Sequence, residues 1–178
     1  MKDKSSISVG MSLDILHHGH INILEKASQY GNVIVGLLSD KAISTAKRVP
    51  LLTFKQRKKI VESLKNVSEI VTQDEWDYSN NLIKYKPDYM IHGDDWLSGP
   101  LAHYRELAIK ALDSYGGKLI EIPYTKGISS SKLVDNIRKI GTTPDLRRST
   151  LKRLISAKDI VRIIETHSPL SALIGEGV

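Results

Sequence analysis

The chain has 178 residues, 40% hydrophobic content and a net charge of +6, enough for one domain with its own core and an appendage. It contains no cysteine, which excludes disulfides and thiolate zinc sites and suits a cytoplasmic setting. The mild charge does not argue for nucleic acid, the absence of any run of about 18 apolar residues argues against a membrane span, and both leave room for a small anionic substrate.

The opening "MKDKSSISVG" lacks the apolar core of a signal peptide. Within it begins "SISVGM", a β-branched stretch followed by a turn, which predicts a first strand. From His20, apolar residues at Ile21, Ile23, Leu24 and Ala27 predict a helix, with Gly31 as its C-cap. "NVIVGLL" is a continuous apolar run, the mark of a strand buried on both faces. "TFKQRKKIVESLKN" opens with Thr53 and Gln56 at capping-box spacing and carries a helical stripe at Ile60, Val61 and Leu64. A short strand "SEIVT" follows, then a brief helix "SNNLIKYKPD" stopped before Pro87. "YMIHG" reads as a strand, "GPLAHYRELAIKALDSYGG" as a long helix, "KLIEIPY" as a strand and "SSSKLVDNIRKIG" as a last helix.

Regular alternation of strand and helix predicts a Rossmann-like α/β fold, a five-stranded parallel doubly wound sheet. "GTTPDLRRS" marks the best boundary: residues 1–141 form the domain, and 142–178 a C-terminal helical tail with two stretches, "LRRSTLKRLISAK" and "DIVRIIETH". Ligands of such sheets bind beyond the carboxyl ends of the strands. The unusual clusters fall there: "LDILHHGH" after the first strand, "GDDW" after the fourth, "YTKGISSS" after the fifth.

His17 and His20 lie three apart at a helix start and share a face. A metal would need a third ligand that the pattern does not supply. The open N–H groups of the helix and its dipole favour an anion, to which two imidazoles add hydrogen bonds. A polar turn with ordinary capping is the third reading.

"SLDILHHGH" resembles the "(T/S)xxxxHxGH" signature of the nucleotidyltransferase superfamily, and further resemblances follow in order. "TFKQRKKIVESL" resembles the "ExR" helix of the cytidylyltransferase branch, with Arg57 as its arginine. "IHGDDW" is similar to the "GDDW" of glycerol-3-phosphate cytidylyltransferases, and "TKGISSSKL" to the "(T/E)GIS(S/T)(S/T)K" signature. The resemblance covers about residues 7–140. Three positions depart from it: Met11 stands where relatives carry glycine, Leu13 where they carry phenylalanine, and Tyr124 where most glycerol-phosphate relatives carry arginine. The lysine-rich loop is replaced by "TAKRVPLLTF". The tail, "LKRLISAKDIVRIIETHSPLSALIGEG", resembles the opening of phosphoenolpyruvate mutase, so the chain looks like the front of a two-domain protein. Cytidylyltransferase–mutase fusions of this kind belong to phosphonate biosynthesis.

The resemblance implies CTP as donor and a small phosphonate as acceptor, 2-hydroxyethylphosphonate first, with 2-aminoethylphosphonate and glycerol 3-phosphate as alternatives. It implies Mg²⁺ held by the CTP phosphates, with Asp14 nearby and no protein metal site, a homodimer, and a fused mutase domain, with neither nucleic acid nor membrane as partner. It assigns His17 and His20 to the α-phosphate and bridging oxygen, Lys47 or Arg48 to the triphosphate, and Arg57 to phosphate or acceptor. The nucleotide site would be Gly10, Met11, Ser12, Leu13, His17, Gly19 and His20 on the first loop, Gly93, Asp94, Asp95 and Trp96 on the second, and Tyr124, Gly127, Ile128, Ser129 and Ser130 on the third. His18 is the variable spacer, His92 is structural or acceptor-facing, and Trp76 walls the acceptor pocket or is an ordinary loop aromatic. Two rival readings stand beside this one: a nucleotide-binding module without turnover that serves a fused partner, and adenylyl transfer, against which "GDDW" weighs.

Overall fold

A computed structural model describes residues 5–97, 101–140 and 144–161. Five strands form one parallel sheet: β1 (Ser6–Met11), β2 (Asn32–Leu38), β3 (Glu69–Gln73), β4 (Tyr89–Gly93) and β5 (Lys118–Ile122). Their spatial order is β3-β2-β1-β4-β5, the doubly wound arrangement expected from the alternation. The helices are α1 (His18–Ser28), α2 (Asp40–Ala46), α3 (Phe54–Glu62), α4 (Ser79–Tyr85), α5 (Ala102–Asp113), α6 (Ser130–Ile140) and α7 (Pro144–Ala157), with a 3₁₀ turn at Asp94–Trp96.

Each face of the sheet buries its own cluster. Alternation along β1 sends Ile7, Val9 and Met11 against Leu24 and Ala27 of α1 and Val61 of α3, with Val33, Val35 and Leu37 of β2. Met90 meets Tyr78, Leu82 of α4, and Ala108 and Leu112 of α5 in a second cluster. Helices on both faces are what a sheet of near-continuous apolar strands requires.

The register explains where the sheet opens. β1 pairs β2 over six positions, Ser6↔Asn32 to Met11↔Leu37. Against β4 it pairs only at Ile7↔Tyr89 and Ser8↔Met90. Beyond Ser8 the two central strands are no longer joined. This is also the topological switch point, where the chain has finished β1-β2-β3 on one side and crosses to build β4-β5 on the other. A crevice at the carboxyl ends of the strands follows.

Several elements differ from the sequence expectation. α2 falls in a stretch to which the sequence reading assigns no element; Ser39 caps it, its Oγ accepting from Ala42 N–H at 3.2 Å. Gly31 is not a left-handed C-cap: α1 ends at Gln29 in a right-handed conformation. A Cβ on Gly31 would stand 1.9 Å from the Ser5 carbonyl oxygen, which accepts from Asn32 N–H at 2.8 Å. The glycine is there for close backbone approach. The left-handed cap belongs to Lys86, with φ of 46° at the end of α4, just before Pro87. In the tail, α7 begins at Pro144, the first-turn position that proline suits. Of the second tail stretch, Asp159, Ile160 and Val161 are not helical and the remainder lies outside the described residues.

Gly31→Ala should destabilise the fold by about 1–3 kcal/mol by prising the start of β1 from β2. Urea unfolding would check it; an unchanged midpoint would show that the Ser5 approach is not constraining.

Candidate active site

A cleft occupies the gap between β1 and β4. Its floor is Val9, Gly10 and Met11 on one side and Ile91, His92 and Gly93 on the other. Gly10 faces the ring of Tyr78, and a Cβ there would stand 2.1 Å from Tyr78 Cε1. Tyr78 fills the volume that a side chain on residue 10 would occupy. Met11, the departure from the family pattern, directs its side chain into the main core and is 5% exposed. Glycine at this turn falls one residue earlier, at Gly10.

After β1 the chain turns sharply. Leu13 has φ of 50° while its side chain is buried in the core, a left-handed backbone that costs energy for a non-glycine residue. Asp14 then accepts from Leu51 N–H at 2.6 Å and Leu52 N–H at 3.2 Å and pairs with Arg48. Both of its oxygens bond within this loop. Among the described residues no group of three histidine or carboxylate side chains could hold a metal.

His17 is the N-cap position of α1 and His20 the third residue of the helix. Their rings lie 3.9 Å apart, tilted by 35°. His17 N–H donates to His20 Nδ1 at 3.3 Å, so the proton of a neutral His20 sits on Nε2, where it is available as a donor. Burial, with a smaller contribution from His17, pulls the His20 pKa down to about 3. Burial first, then His18, lowers His17 as well. Gly19 lies against Thr125, and Asn22 Nδ2 donates to Thr125 Oγ1 at 3.2 Å. Contacts of this kind bring the third loop onto α1.

That loop runs from Tyr124 into α6. Gly127 turns it with φ of 87°, and the Tyr124 hydroxyl donates to the Ile128 carbonyl at 3.4 Å. Ser129 caps α6, its Oγ accepting from Lys132 N–H at 3.2 Å, and Ser130 Oγ donates to the Ile15 carbonyl at 3.1 Å. Two helix N-termini, α1 and α6, are thus stitched together at one mouth, lined by His17, His20, Ser129 and Ser130. Donor groups and dipoles converging in this way form an anion cradle.

Lys47 reaches the cleft from the loop after α2, its Nζ 5.0 Å from the centre of the Trp76 ring. Burial lowers its pKa, Asp95 raises it, and Arg48 lowers it in turn. Arg48 lines the adjoining hollow with Ser12, Asp14 and Ser130. Of the two basic candidates, Lys47 is the one that enters the main cleft.

The second loop separates its two aspartates. Asp94 Oδ1 accepts from Tyr124 N–H at 2.8 Å, tying two loops together, and Asp94 does not line the cleft. Asp95 does. Trp96 is buried, stacked on His92 with ring centres 3.8 Å apart, and its Nε1–H donates to Glu121 at 2.8 Å. Arg105 holds Glu121 through two 2.8 Å bonds. His92 Nδ1 donates to the Gly93 carbonyl at 2.8 Å, leaving Nε2 to accept from Tyr78 at 3.4 Å. Burial lowers the pKa of His92 and raises that of Tyr78 above the usual phenol value.

Arg57 differs most from expectation. It is 0% exposed and does not line the cleft. It donates to the Ser12 carbonyl and, at 2.7 Å, to Asp40 Oδ1. Its guanidinium holds the backbone of the loop after β1 from behind rather than facing the cleft. Tyr78, Tyr104 and Leu101 line the cleft but belong to no motif. The one trace of Tyr78 in the sequence is Gly10, since a glycine inside a strand signals close approach.

A parallel sheet with a switch-point crevice, and two helix N-termini meeting over a histidine pair, define a nucleotide-binding α/β protein. The model of the family described as Cytidylyltransferase-like matches residues 9–136, and the chain belongs to that family. It is 29% identical over 153 residues to an ethanolamine-phosphate cytidylyltransferase of Arabidopsis thaliana, covering 80% of this chain and 35% of that protein. It is 28% identical over 136 residues to the glycerol-3-phosphate cytidylyltransferase of Bacillus subtilis, covering 75% of this chain and 97% of that protein. A lipopolysaccharide core biosynthesis protein from Thermoplasma volcanium shares the fold, with a TM-score of 0.59 at 23% identity over 68% of this chain and 98% of its own. The chain thus spans about a third of the plant relative and nearly all of the bacterial one. The phosphonate acceptor and the mutase-like tail are finer features than these likenesses reach.

The His20 pKa carries a prediction. The unfolded chain binds its proton near pH 6.5 and the folded one only near 3. Below 6.5 the unfolded state therefore takes up more protons, so stability is complete above 6.5 and falls as the pH drops towards 3. His20→Asn should flatten the decline in stability between pH 6.5 and about 4. Equal slopes for the two proteins would show that His20 does not carry it.

Proposed function

We propose that this chain transfers CMP from CTP to a small phosphonate and releases pyrophosphate, with 2-hydroxyethylphosphonate as the favoured acceptor. The observation that carries the reading is the cradle: His17 and His20 at the start of α1 beside Ser129 and Ser130 at the start of α6, with Lys47 across the cleft. An acceptor oxygen attacks the α-phosphorus in line; the new P–O bond forms as the bond to the bridging oxygen breaks, and that electron pair leaves with pyrophosphate. The acceptor is already an anion, so no general base is needed, and catalysis is positioning and charge stabilisation.

In this reading His20 Nε2–H and His17 donate to oxygens on the α-phosphorus, Lys47 meets the triphosphate, and the N-terminus of α6 holds the β and γ oxygens. Ser12 donates to phosphate, and Arg57 positions Ser12 through its carbonyl. Asp95 accepts from the cytosine amino group. Mg²⁺, held mainly by the triphosphate oxygens, would offset their charge. The acceptor lies among Trp76, Tyr78, His92 and Tyr104, a compact aromatic end of the cleft suited to a two-carbon chain. The tail's similarity to a mutase and the replacement of arginine by Tyr124 support a phosphonate over glycerol phosphate. A fused mutase domain, a homodimer and a cytoplasmic setting belong to the same proposal. One observation favours a second reading: Asp95 is a carboxylate inside the cleft and would equally suit an acceptor bearing an ammonium, either 2-aminoethylphosphonate or ethanolamine phosphate.

The test is pyrophosphate release with CTP or ATP, Mg²⁺ and each of 2-hydroxyethylphosphonate, 2-aminoethylphosphonate, ethanolamine phosphate and glycerol 3-phosphate. Turnover with CTP and 2-hydroxyethylphosphonate is expected. Preference for an amine acceptor would establish the second reading, turnover with ATP alone would overturn cytidylyl transfer, and no release with any pair would overturn the enzyme. His17→Ala should lower kcat by about 10²–10³-fold; full kcat would refute the mechanism.

A further inference from the structure

The segment from Lys47 to Thr53 has no regular secondary structure yet delivers Lys47 to the cleft. Its far end is pinned from two sides. Asp14 accepts both N–H groups of Leu51 and Leu52. The opposite-facing carbonyls are taken by Arg153 of α7: Nη1 donates to Leu51 O at 2.7 Å, and Nη2 to Leu52 O at 3.2 Å. The same Nη2 lies 3.3 Å from Asp40 Oδ2, whose other oxygen holds Arg57 and so the Ser12 carbonyl. A single tail side chain therefore touches both the basic loop and the carboxylate that steadies the phosphate loop. Arg153 lies beyond residue 136, where the family match ends.

We propose that Arg153 is a positioning residue of the nucleotide site, acting from the C-terminal helix to hold the Lys47–Thr53 loop and Asp40 in their working arrangement. This makes α7 a functional part of the catalytic unit rather than only a connection. It requires a fork: three acceptors on two elements demand the planar, multiply donating guanidinium, which an ammonium does not reproduce. The inference rests on the cytidylyltransferase reading for its kinetic consequence, but its geometric consequence is independent of it.

The experiment uses the full chain and the variants Arg153→Lys and Arg153→Ala in two assays. In steady-state kinetics, Arg153→Ala should raise KM for CTP about tenfold with KM for the acceptor altered less than about twofold, and Arg153→Lys should fall between. In limited trypsin digestion followed by mass spectrometry, cuts after Lys47 and Arg48 should appear about tenfold faster in Arg153→Ala, while cuts elsewhere, apart from the site lost at residue 153 itself, keep their wild-type rates. General acceleration of all cuts, or equal changes in both KM values, would mean that Arg153 serves only global stability and would overturn the proposal. So would wild-type loop cleavage in Arg153→Ala. If the wild-type chain releases no pyrophosphate, the functional reading fails, and the loop-specific cuts still decide the role of Arg153.

Discussion

The parting of β1 from β4 is the constraint on which the site depends. Two neighbouring parallel strands that bond at Ile7 and Ser8 and then separate leave the backbone beyond them facing a gap. Filling that gap with apolar side chains would close the sheet. Instead Gly10 withdraws, Tyr78 fits against it, and the His92 ring stacks on Trp96. These aromatics line the cleft while their polar atoms are satisfied: Tyr78 through His92, His92 through the Gly93 carbonyl, Trp96 through Glu121. The loops that follow each strand then have a mouth to converge on.

Convergence needs a second device, because loops following parallel strands are not joined to each other by the sheet. Here the ties are single polar side chains spanning long sequence distances. Asp94 holds Tyr124, Ser130 holds Ile15, Asn22 holds Thr125, and Arg57 holds Ser12. The last is the most exacting. A fully buried guanidinium is tolerable only with its charge balanced, and Asp40 supplies that balance from the second residue of the loop-and-helix segment after β2. Losing Asp40 would strand a cation beneath the loop after β1, so the short helix α2 matters more than its length suggests.

The same separation explains what could be read from the sequence. Strand and helix identity is a local signal: "SISVGM" and "NVIVGLL" coincide with β1 and β2 because β-branched runs and flanking turns are sufficient. The ordered motifs placed three loops at the carboxyl ends of strands, and His17, His20, Asp95, Ser129 and Ser130 line one cleft. α2 escaped because "DKAISTA" buries only three small-to-medium residues, Ala42, Ile43 and Ser44, too few for a periodic stripe. Arg57 looked like a ligand-facing cation because its role is set by partners 17 and 45 residues away. Asp94 and Asp95 were indistinguishable as neighbours in a motif, and only the turn between β4 and α5 sends one to Tyr124 and the other to the cleft. Tyr78 carries no motif; its place depends on the strands having parted.

Electrostatics of the cleft follow from burial. His17, His20 and His92 all have lowered pKa values, with desolvation the leading cause, and Lys47 is lowered for the same reason. The helix N-termini add a positive potential that does not depend on the protonation of these side chains, because their partial charges cannot be titrated away. Neutral imidazoles placed there avoid the repulsion that two adjacent imidazolium rings 3.9 Å apart would create, yet each keeps an N–H to donate. In the proposed reaction an oxyanion would meet preorganised dipoles first, and its own charge would then favour protonation of the histidines it contacts. On that proposal the cleft gains positive charge as its ligand binds, and the fold is spared a buried cluster of imidazolium cations.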